Sequence, residues 1–475
     1  MKKPPFLPFK GIALIADPIY SYIPFTDSDG DTTQARTEQD LIDSAWLQRL
    51  RRIHQLQSAR WVYPSAEHTR FQHSLGTMHM AGEFARHLYR SLCATCSGVP
   101  SFPFVEELLR IAGLLHDVGH GPYGHFFDEN FLSQYGLTHE LLGQEIIVRE
   151  LGAIIQNIRR SPHGMFQSRE QLRPGDVAFL IKKPREAQAG DAQEPQWLKF
   201  LQQLFSGIYT VDNLDYVQRD AYMTGFSLDM VDMRRLLFYS FFSDRGLTLH
   251  QAGISAFTRF LNARLSLYGN VYYHRTTRAI DFHMQEIFQQ TLNSIFPANP
   301  AKALKKYLHL NDWSLIQEVE QWQYGKDREK KRLGKEWAQI ISRRIKWKMA
   351  YATELTLDQA QRGMVGFARP EQFEEAIREN LPRRIRTIEF RVDLAMQDPR
   401  PINPMAEGNK RINIYNPSTA VTSPEPLKEI FKYIPARIVH FRVFALDHRH
   451  DEALAGACEA MFDTSGSASA YDTNI

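Results

Sequence analysis

Long apolar runs are missing from this 475-residue sequence. Nowhere do about 18 uncharged apolar residues follow one another, so no membrane-spanning helix is expected. Cysteine is scarce: three residues cannot all pair within one chain, which points to a reducing compartment. Cys93 and Cys96 form a CxxC, but no second ligand pair stands near them, so both are read as ordinary thiols. Excess charge is absent too. The net +3 is too small to imply a nucleic-acid partner by itself. An uninterrupted secretion signal is also lacking. Pro4, Pro5, Pro8 and Lys10 break the N-terminal apolar region and Asp17 ends it, so a cytoplasmic protein is expected. The Asp27-Ser28-Asp29-Gly30-Asp31 cluster has no glutamate six residues past its glycine, which leaves residues 25–39 a polar surface loop rather than a calcium loop.

What is present suits a folded chain with a large core: 43% hydrophobic and 12% aromatic residues over more than one typical domain length. The chain is organised around Leu114-Leu115-His116-Asp117-Val118-Gly119-His120-Gly121-Pro122, with His125 and Asp128 just beyond. An apolar helix over Leu108 to Leu115 ends in a turn that Gly119, Gly121 and Pro122 keep from continuing as helix. His120 and His125 should therefore project from irregular backbone. Ionisable groups gathered around glycines at a buried helix end read as a metal site with acid–base groups beside it.

Other segments supply further donors. A helix over Leu41 to Leu56 carries Leu47, Leu50, Ile53 and Leu56 on one face. Arg70-Phe71-Gln72-His73-Ser74-Leu75-Gly76 leads into a long helix through Tyr89. His73 becomes a third ligand only in combination with His116 and Asp117, and Thr138-His139-Glu140 opens another helix. Residues 159–196 read as loops around an apolar piece, Val177 to Ile181. Asp212, Asp215 and Asp220 lie on one helical segment, which alone suits a solvated face with salt bridges. Arg264 and Arg275 stand among Tyr268, Tyr272 and Tyr273. Guanidinium forks match phosphate oxygens and tyrosine packs on sugar or base, so this pattern suits a polyphosphate ester.

In this order, Asp17-Pro18-Ile19, Leu47-Gln48-Arg49-Leu50-Arg51, Arg70 to Gly76, Ala112 to Pro122, Thr138-His139-Glu140, Asp215-Tyr216 and Arg264 to Arg275 resemble the HD-domain phosphohydrolase superfamily. The nearer resemblance is to its deoxynucleoside triphosphate (dNTP) triphosphohydrolases, of the sterile-alpha-motif/HD-domain and bacterial dGTPase-like kinds. It covers about residues 11 to 290. It implies a mostly α-helical HD core and metal ligands His73, His116, Asp117 and Asp212. Two imidazoles and two carboxylates suit a divalent ion such as Mn, Fe, Zn, Ni or Mg. It further implies His120, His125, Asp128 and His139 as catalytic residues, with Asp128 orienting His125. In the implied reaction water attacks the α-phosphorus and His125 protonates the departing 5′ oxygen. Arg70 and Arg264 neutralise the phosphate tail, Tyr216 and Tyr272 flank a 2′-deoxy sugar, and Gln55, Leu56, Asp215 and Asp220 complete the substrate side. Asn213 stands where relatives carry a lysine, Tyr268 where they carry a histidine, and Ala16 and Tyr20 interrupt their regulatory pattern. A homo-oligomer (dimer or tetramer) and a nucleotide activator are implied as well. An alternative is an HD enzyme acting on another nucleotide or phosphoester, or a nucleic-acid-binding protein.

These readings divide the chain into a catalytic core (1–297), a helical extension with a basic stretch (298–365), a small α+β region (366–460) and a disordered tail (461–475). Trp313 to Trp322 is amphipathic. Residues 326–348 carry ten lysines and arginines on an expected continuing helix, favoured as a solvated face over a nucleic-acid surface. Thr387–Asp393, Arg411–Tyr415 and Ile438–Ala445 alternate like strands.

Overall fold

The computed structural model describes residues 9–28, 35–183, 193–207, 209–357, 369–397, 413–424, 427, 431, 434–435 and 437–463. Its centre is the helix Phe102–Leu115, buried at every residue from Phe104 to Leu115. Pro103 sits in its first turn, where a missing N–H costs nothing, and the apolar sequence that follows leaves no solvated face. The helix Arg70–Thr95 packs along it. Its start is fixed by Thr69, whose N–H donates to Gln72 Oε1 at 2.7 Å. The helix Val211–Met223 crosses the Arg70–Thr95 helix at Gly76. A Cβ there would stand 1.9 Å from Asp215 Oδ1, so only glycine permits the approach. Helices His139–Arg149, Pro174–Ile181 and Gln196–Ser206 close the other side.

Two later helices, Ile254–Leu267 and Arg275–Ile295, are joined by a π-helical turn at Tyr268–Tyr272. Helices Leu304–Tyr307, Asp312–Trp322 and Arg328–Ile341 return to the same core, where Tyr307, Leu315, Val319, Leu333, Trp337 and Ile340 are buried. The sheets are small. An N-terminal antiparallel hairpin pairs Ile12–Asp17 with Ser21–Thr26. It is tied to the central helix by Glu38, whose carboxylate accepts from Arg110 Nε at 2.6 Å and from Thr26 N at 2.8 Å. A four-stranded sheet runs Val421–Ser423, Asn413–Asn416, Gly246–His250, Ser240–Ser243, its middle pair parallel. The C-terminal sheet has Arg437–Ala445 between Lys348–Leu357 and Phe390–Gln397. Together with helices Pro370–Asn380 and Asp451–Asp463 it encloses a separate core of Phe390, Val392, Phe441, Val443, Leu454 and Cys458.

The architecture is mostly α with an α+β appendage, as expected, and several elements differ in detail. The helix expected over Leu41 to Leu56 breaks into Glu38–Ile42, Ala45–Arg49 and a 3₁₀ turn Leu50–Arg52, because Ser44 Oγ caps a new start by accepting from Leu47 N. Residues 25–39 are not all loop: Phe25 and Thr26 end a strand, Glu38 begins a helix, and 29–34 lie outside the described residues. Within 159–196, the apolar piece is the helix Pro174–Ile181, and Arg160–Ser161 pairs with Gly164–Met165. The basic helix stops at Ile341, where Arg343 turns left-handed (φ 57°), and a strand begins at Lys348. Of the strand expected over Arg411–Tyr415, residues 411 and 412 lie outside the described residues, and Asn413–Asn416 joins the four-stranded sheet. Met461 and Phe462 lie on the last helix, and 464–475 lie outside the described residues. Among the described residues no helix is long and apolar enough to cross a membrane.

Gly76→Ala tests the helix crossing. Its methyl group must displace Asp215 or Arg219, so denaturant unfolding should show a loss of about 1–3 kcal/mol or more. Unchanged stability would mean the crossing tolerates a wider spacing.

Candidate metal centre and active site

Three helix ends meet at one point. The Arg70–Thr95 helix brings His73 in its first turn, and the Phe102–Leu115 helix brings His116 and Asp117 just past its end. Thr210 Oγ1 caps the Val211–Met223 helix by accepting from Asn213 N at 3.0 Å, which sets Asp212 in its first turn. The donor atoms converge. His73 Nε2 lies 3.1 Å from His116 Nε2 and 3.0 Å from Asp212 Oδ1. Asp117 Oδ1 is 3.4 Å from His116 Nε2, and its Oδ2 is 3.9 Å from His73 Nε2. Ligands at bond lengths of about 2.1 Å stand roughly 3 Å apart around one ion. His73, His116 and Asp212 offer one donor atom each within 4.8 Å of one another, which suits a shared divalent cation. Asp117 stands at the edge of that set with its Oδ2 on Arg70.

The far side of each imidazole makes the case firmer. His116 Nδ1 donates to Gly113 O at 2.7 Å, and a carbonyl oxygen can only accept. His73 Nδ1 donates to Asp215 Oδ2 at 2.7 Å. In the neutral rings both Nε2 atoms therefore carry lone pairs, and they face each other and two carboxylates. Such a set is a ready cation site with its outer hydrogen bonds already made. Without a cation His73 holds its proton tightly. Burial pulls the His73 pKa down, but Asp212 and Asp215 outweigh it and push it up to about 10. Burial would raise Asp212, yet His116 and His73 hold it well below the usual carboxylate range.

Asp215 was expected on the substrate side and lies instead behind His73. It is fully buried, and besides His73 it accepts both arms of Arg219 at 2.9 Å and the Tyr20 hydroxyl at 2.9 Å. Arg219 also reaches Asp17 at 2.8 Å. Sequence reasoning passed over Arg219 and gave Asp17 and Tyr20 no part in this brace, because the partners come from the N-terminal hairpin some 195 residues away.

A second group adjoins the first. His120 Nε2 is 3.3 Å from Asp117 Oδ1, and one donor atom each from His120, His125, Asp128 and His139 lie within 4.8 Å of one another. The His120 and His139 rings stack at 3.6 Å, and His125 meets both edge-on. Stacked rings do not share two charges. Burial lowers His139, but Asp128 and Glu140 raise it to about 9. Burial, Arg70 and His139 hold His120 well below its ordinary value. Asp128, expected to orient His125, bonds His139 Nδ1 more closely and stands 3.8 Å from His125 Nδ1. His125 is the exposed member, its side chain 59% accessible.

The remaining expected residues line or back the same face. Arg70 Nη1 donates to Asp117 Oδ2 at 2.6 Å. Arg264 lies beside Tyr216 and Tyr268, and its buried Nε has no protein partner. Tyr268 packs edge-on against Tyr272, whose hydroxyl donates to Asp220 Oδ2 at 2.6 Å. Asp220, also expected to meet substrate, is buried, with its other oxygen 2.8 Å from His68 Nε2. Gln55 donates its N–H to His68 O at 3.0 Å and keeps a buried side-chain oxygen without a protein partner. Leu56 packs into the main core. His116, Asp212, Tyr216, Arg264 and Tyr272 are half-buried.

Comparison with known proteins agrees with this layout. An HD domain matches residues 70–191, and an HD associated region matches 231–393. The chain is 30% identical over 275 residues to the uncharacterized protein YwfO of Bacillus subtilis, covering 58% of this chain and 54% of that one. It is 27% identical over 284 residues to the deoxynucleoside triphosphate triphosphohydrolase SAMHD1 homolog of Dictyostelium discoideum, covering 59% and 51%. The match thus spans about half the length of these curated relatives. Among solved structures, a hypothetical protein from Aquifex aeolicus superposes with TM-score 0.66 at 22% identity, covering 95% of this chain and 100% of that chain. A phosphohydrolase from Bacteroides thetaiotaomicron gives 0.64 at 21%, covering 92% and 100%. At these identities the two structures share the fold.

The convergence generates a direct expectation. Purified protein should carry about one divalent metal per chain by elemental analysis, and His73→Ala and Asp212→Ala should each lose it while remaining folded. Full occupancy in either variant would remove that residue from the ligand set.

Proposed function

The chain belongs to the HD-domain phosphohydrolase superfamily, and within it we propose that this protein hydrolyses deoxynucleoside triphosphates to deoxynucleoside and tripolyphosphate. The observation that carries the reading is the pair of imidazole Nε2 atoms facing two carboxylates, beside a wall of arginine and tyrosine. A divalent ion held by His73, His116, Asp117 and Asp212 would supply an acidified water and screen phosphate charge. The chain's own residues do the rest. Arg264, beside Tyr216 and Tyr268, offers its guanidinium to phosphate oxygens. His125, at the exposed edge of the histidine cluster, gives its proton to the departing 5′ oxygen. The Tyr272 hydroxyl is committed to Asp220, and the other Asp220 oxygen to His68. A tyrosine ring packed on the sugar would leave a ribose 2′-hydroxyl crowded against it, which favours a deoxy sugar.

The proposal extends to a homo-oligomer, dimer or tetramer, and to activation by a second nucleotide. The basic stretch favours a structural role over a nucleic-acid surface. Arg332 pairs with Glu329, Lys346 with Glu286, and Lys330 sits over the Trp322 ring.

With manganese and the four deoxynucleoside triphosphates, singly and in mixtures, chromatography should show intact tripolyphosphate and deoxynucleoside. Attack at the γ-phosphorus would give single phosphate instead. No tripolyphosphate from any mixture, together with consumption of a monophosphate or another nucleotide, would transfer the site to a different phosphoester. His125→Ala should keep its metal and lose roughly 10²–10⁴-fold in kcat. An unchanged kcat would return His125 to a structural role.

A further inference from the structure

The loop that carries His120 and His125 is held from behind by a segment the sequence reading set outside the catalytic core. Tyr307 donates its hydroxyl to Gly119 O at 2.8 Å. Arg49, its guanidinium 4.5 Å above the Tyr307 ring, bridges His120 O at 2.6 Å and Leu310 O at 3.1 Å. Asp312, fully buried, accepts from Tyr123 N at 2.8 Å through Oδ1. Its Oδ2 accepts from the His54 backbone N–H at 2.9 Å and stands 2.8 Å from His54 Nδ1.

The backbone at the point of attachment is unusual. Tyr123 is a buried aromatic residue at φ 62°, and Gly124 follows at φ 55°. A non-glycine residue held left-handed costs of order 1 kcal/mol or more and persists only where its surroundings fix it. His125 comes directly after this pair and begins the next helix. A Cβ at Gly124 would stand 2.3 Å from Arg70 Nη2, so the turn also packs closely against Arg70. Asp312 itself occupies the first turn of the Asp312–Trp322 helix, where a negative charge is favoured. Its three contacts join that helix, the loop before the Arg70–Thr95 helix and the histidine turn.

We propose that Asp312 is a positioning residue for His125: through the Tyr123 amide it holds the left-handed Tyr123-Gly124 turn that aims the imidazole, and Tyr307 and Arg49 extend the same support to Gly119 and His120. The proposal deepens the hydrolase reading, because it assigns the 304–312 segment a part in catalysis without contact with substrate.

Two readouts separate positioning from plain stability. In the full-length protein, Asp312→Ala should lower kcat roughly 10–100-fold, the scale of a displaced catalytic group, with KM within about twofold and metal content unchanged. Asp312→Asn keeps one acceptor oxygen for the Tyr123 amide and should recover part of that loss. Amide hydrogen exchange by mass spectrometry needs no substrate. In Asp312→Ala the peptide spanning 119–127 should exchange about tenfold faster or more, with Arg70–Thr95 and Phe102–Leu115 at wild-type rates. Tyr307→Phe, a milder change, should speed exchange at 119–121 alone. Faster exchange across all helices would make Asp312 a global stabiliser and overturn the assignment. So would wild-type exchange at 119–127, or a KM rise without a kcat loss. If wild-type protein releases no tripolyphosphate, the nucleotide reading fails, while the exchange pattern still decides whether Asp312 holds the turn.

Discussion

One buried carboxylate holds the centre of this molecule together. Asp215 is out of contact with solvent and receives the His73 imidazole, both arms of Arg219 and the Tyr20 hydroxyl. A carboxylate buried without such partners would be strongly disfavoured, and with them it is a junction that fixes several elements at once. The Val211–Met223 helix, the Arg70–Thr95 helix and the N-terminal hairpin are joined through it. Glycine at 76 is the steric condition for the junction. Once His73 Nδ1 is committed to Asp215, its Nε2 faces His116 and Asp212. The donor set then follows from the crossing of the helices.

Around this junction the protein sorts charge by environment. The face formed by His73, His116, Asp117 and Asp212 gathers carboxylates whose protonated forms are suppressed by neighbouring histidines and Arg70. One step outward, the stacked His120 and His139 divide their proton unevenly: Asp128 and Glu140 raise His139, while burial and Arg70 hold His120 down. His125 sits at the rim, in the solvent-reaching position a proton donor needs. The backbone that carries these histidines has little regular structure of its own. It is held by Arg70, Arg49, Tyr307 and Asp312. The helices after residue 298 share the main hydrophobic core, so they are part of the frame in which the histidines stand.

The parts legible in the sequence were those written locally. The apolar run of Phe102–Leu115 and the glycines after it could be read without tertiary information, whereas His73, His116, Asp117 and Asp212 came together as a set only through the family resemblance. The broken helix near Ser44 was missed because threefold apolar spacing continues across the cap: Leu47, Leu50 and Ile53 are all fully buried although the backbone changes twice. The N-terminal hairpin was hidden in a short apolar run that periodicity alone does not assign to strand. Asp215 and Asp220 were placed on the substrate side because an aspartate on a helix shows its residue type but not what stands opposite. Asp215 meets His73 from 142 residues away, and Asp312 meets Tyr123 from 189. Local pattern carries no trace of such pairings.

The central claim is that His73, His116, Asp117 and Asp212 form one cation site. Anomalous X-ray diffraction from crystals soaked in manganese tests it most directly. The account predicts one strong peak per chain at about 2.0–2.3 Å from His73 Nε2, His116 Nε2 and a carboxylate oxygen each of Asp117 and Asp212. No peak among these four, or a sole peak among His120, His125, Asp128 and His139, would contradict it.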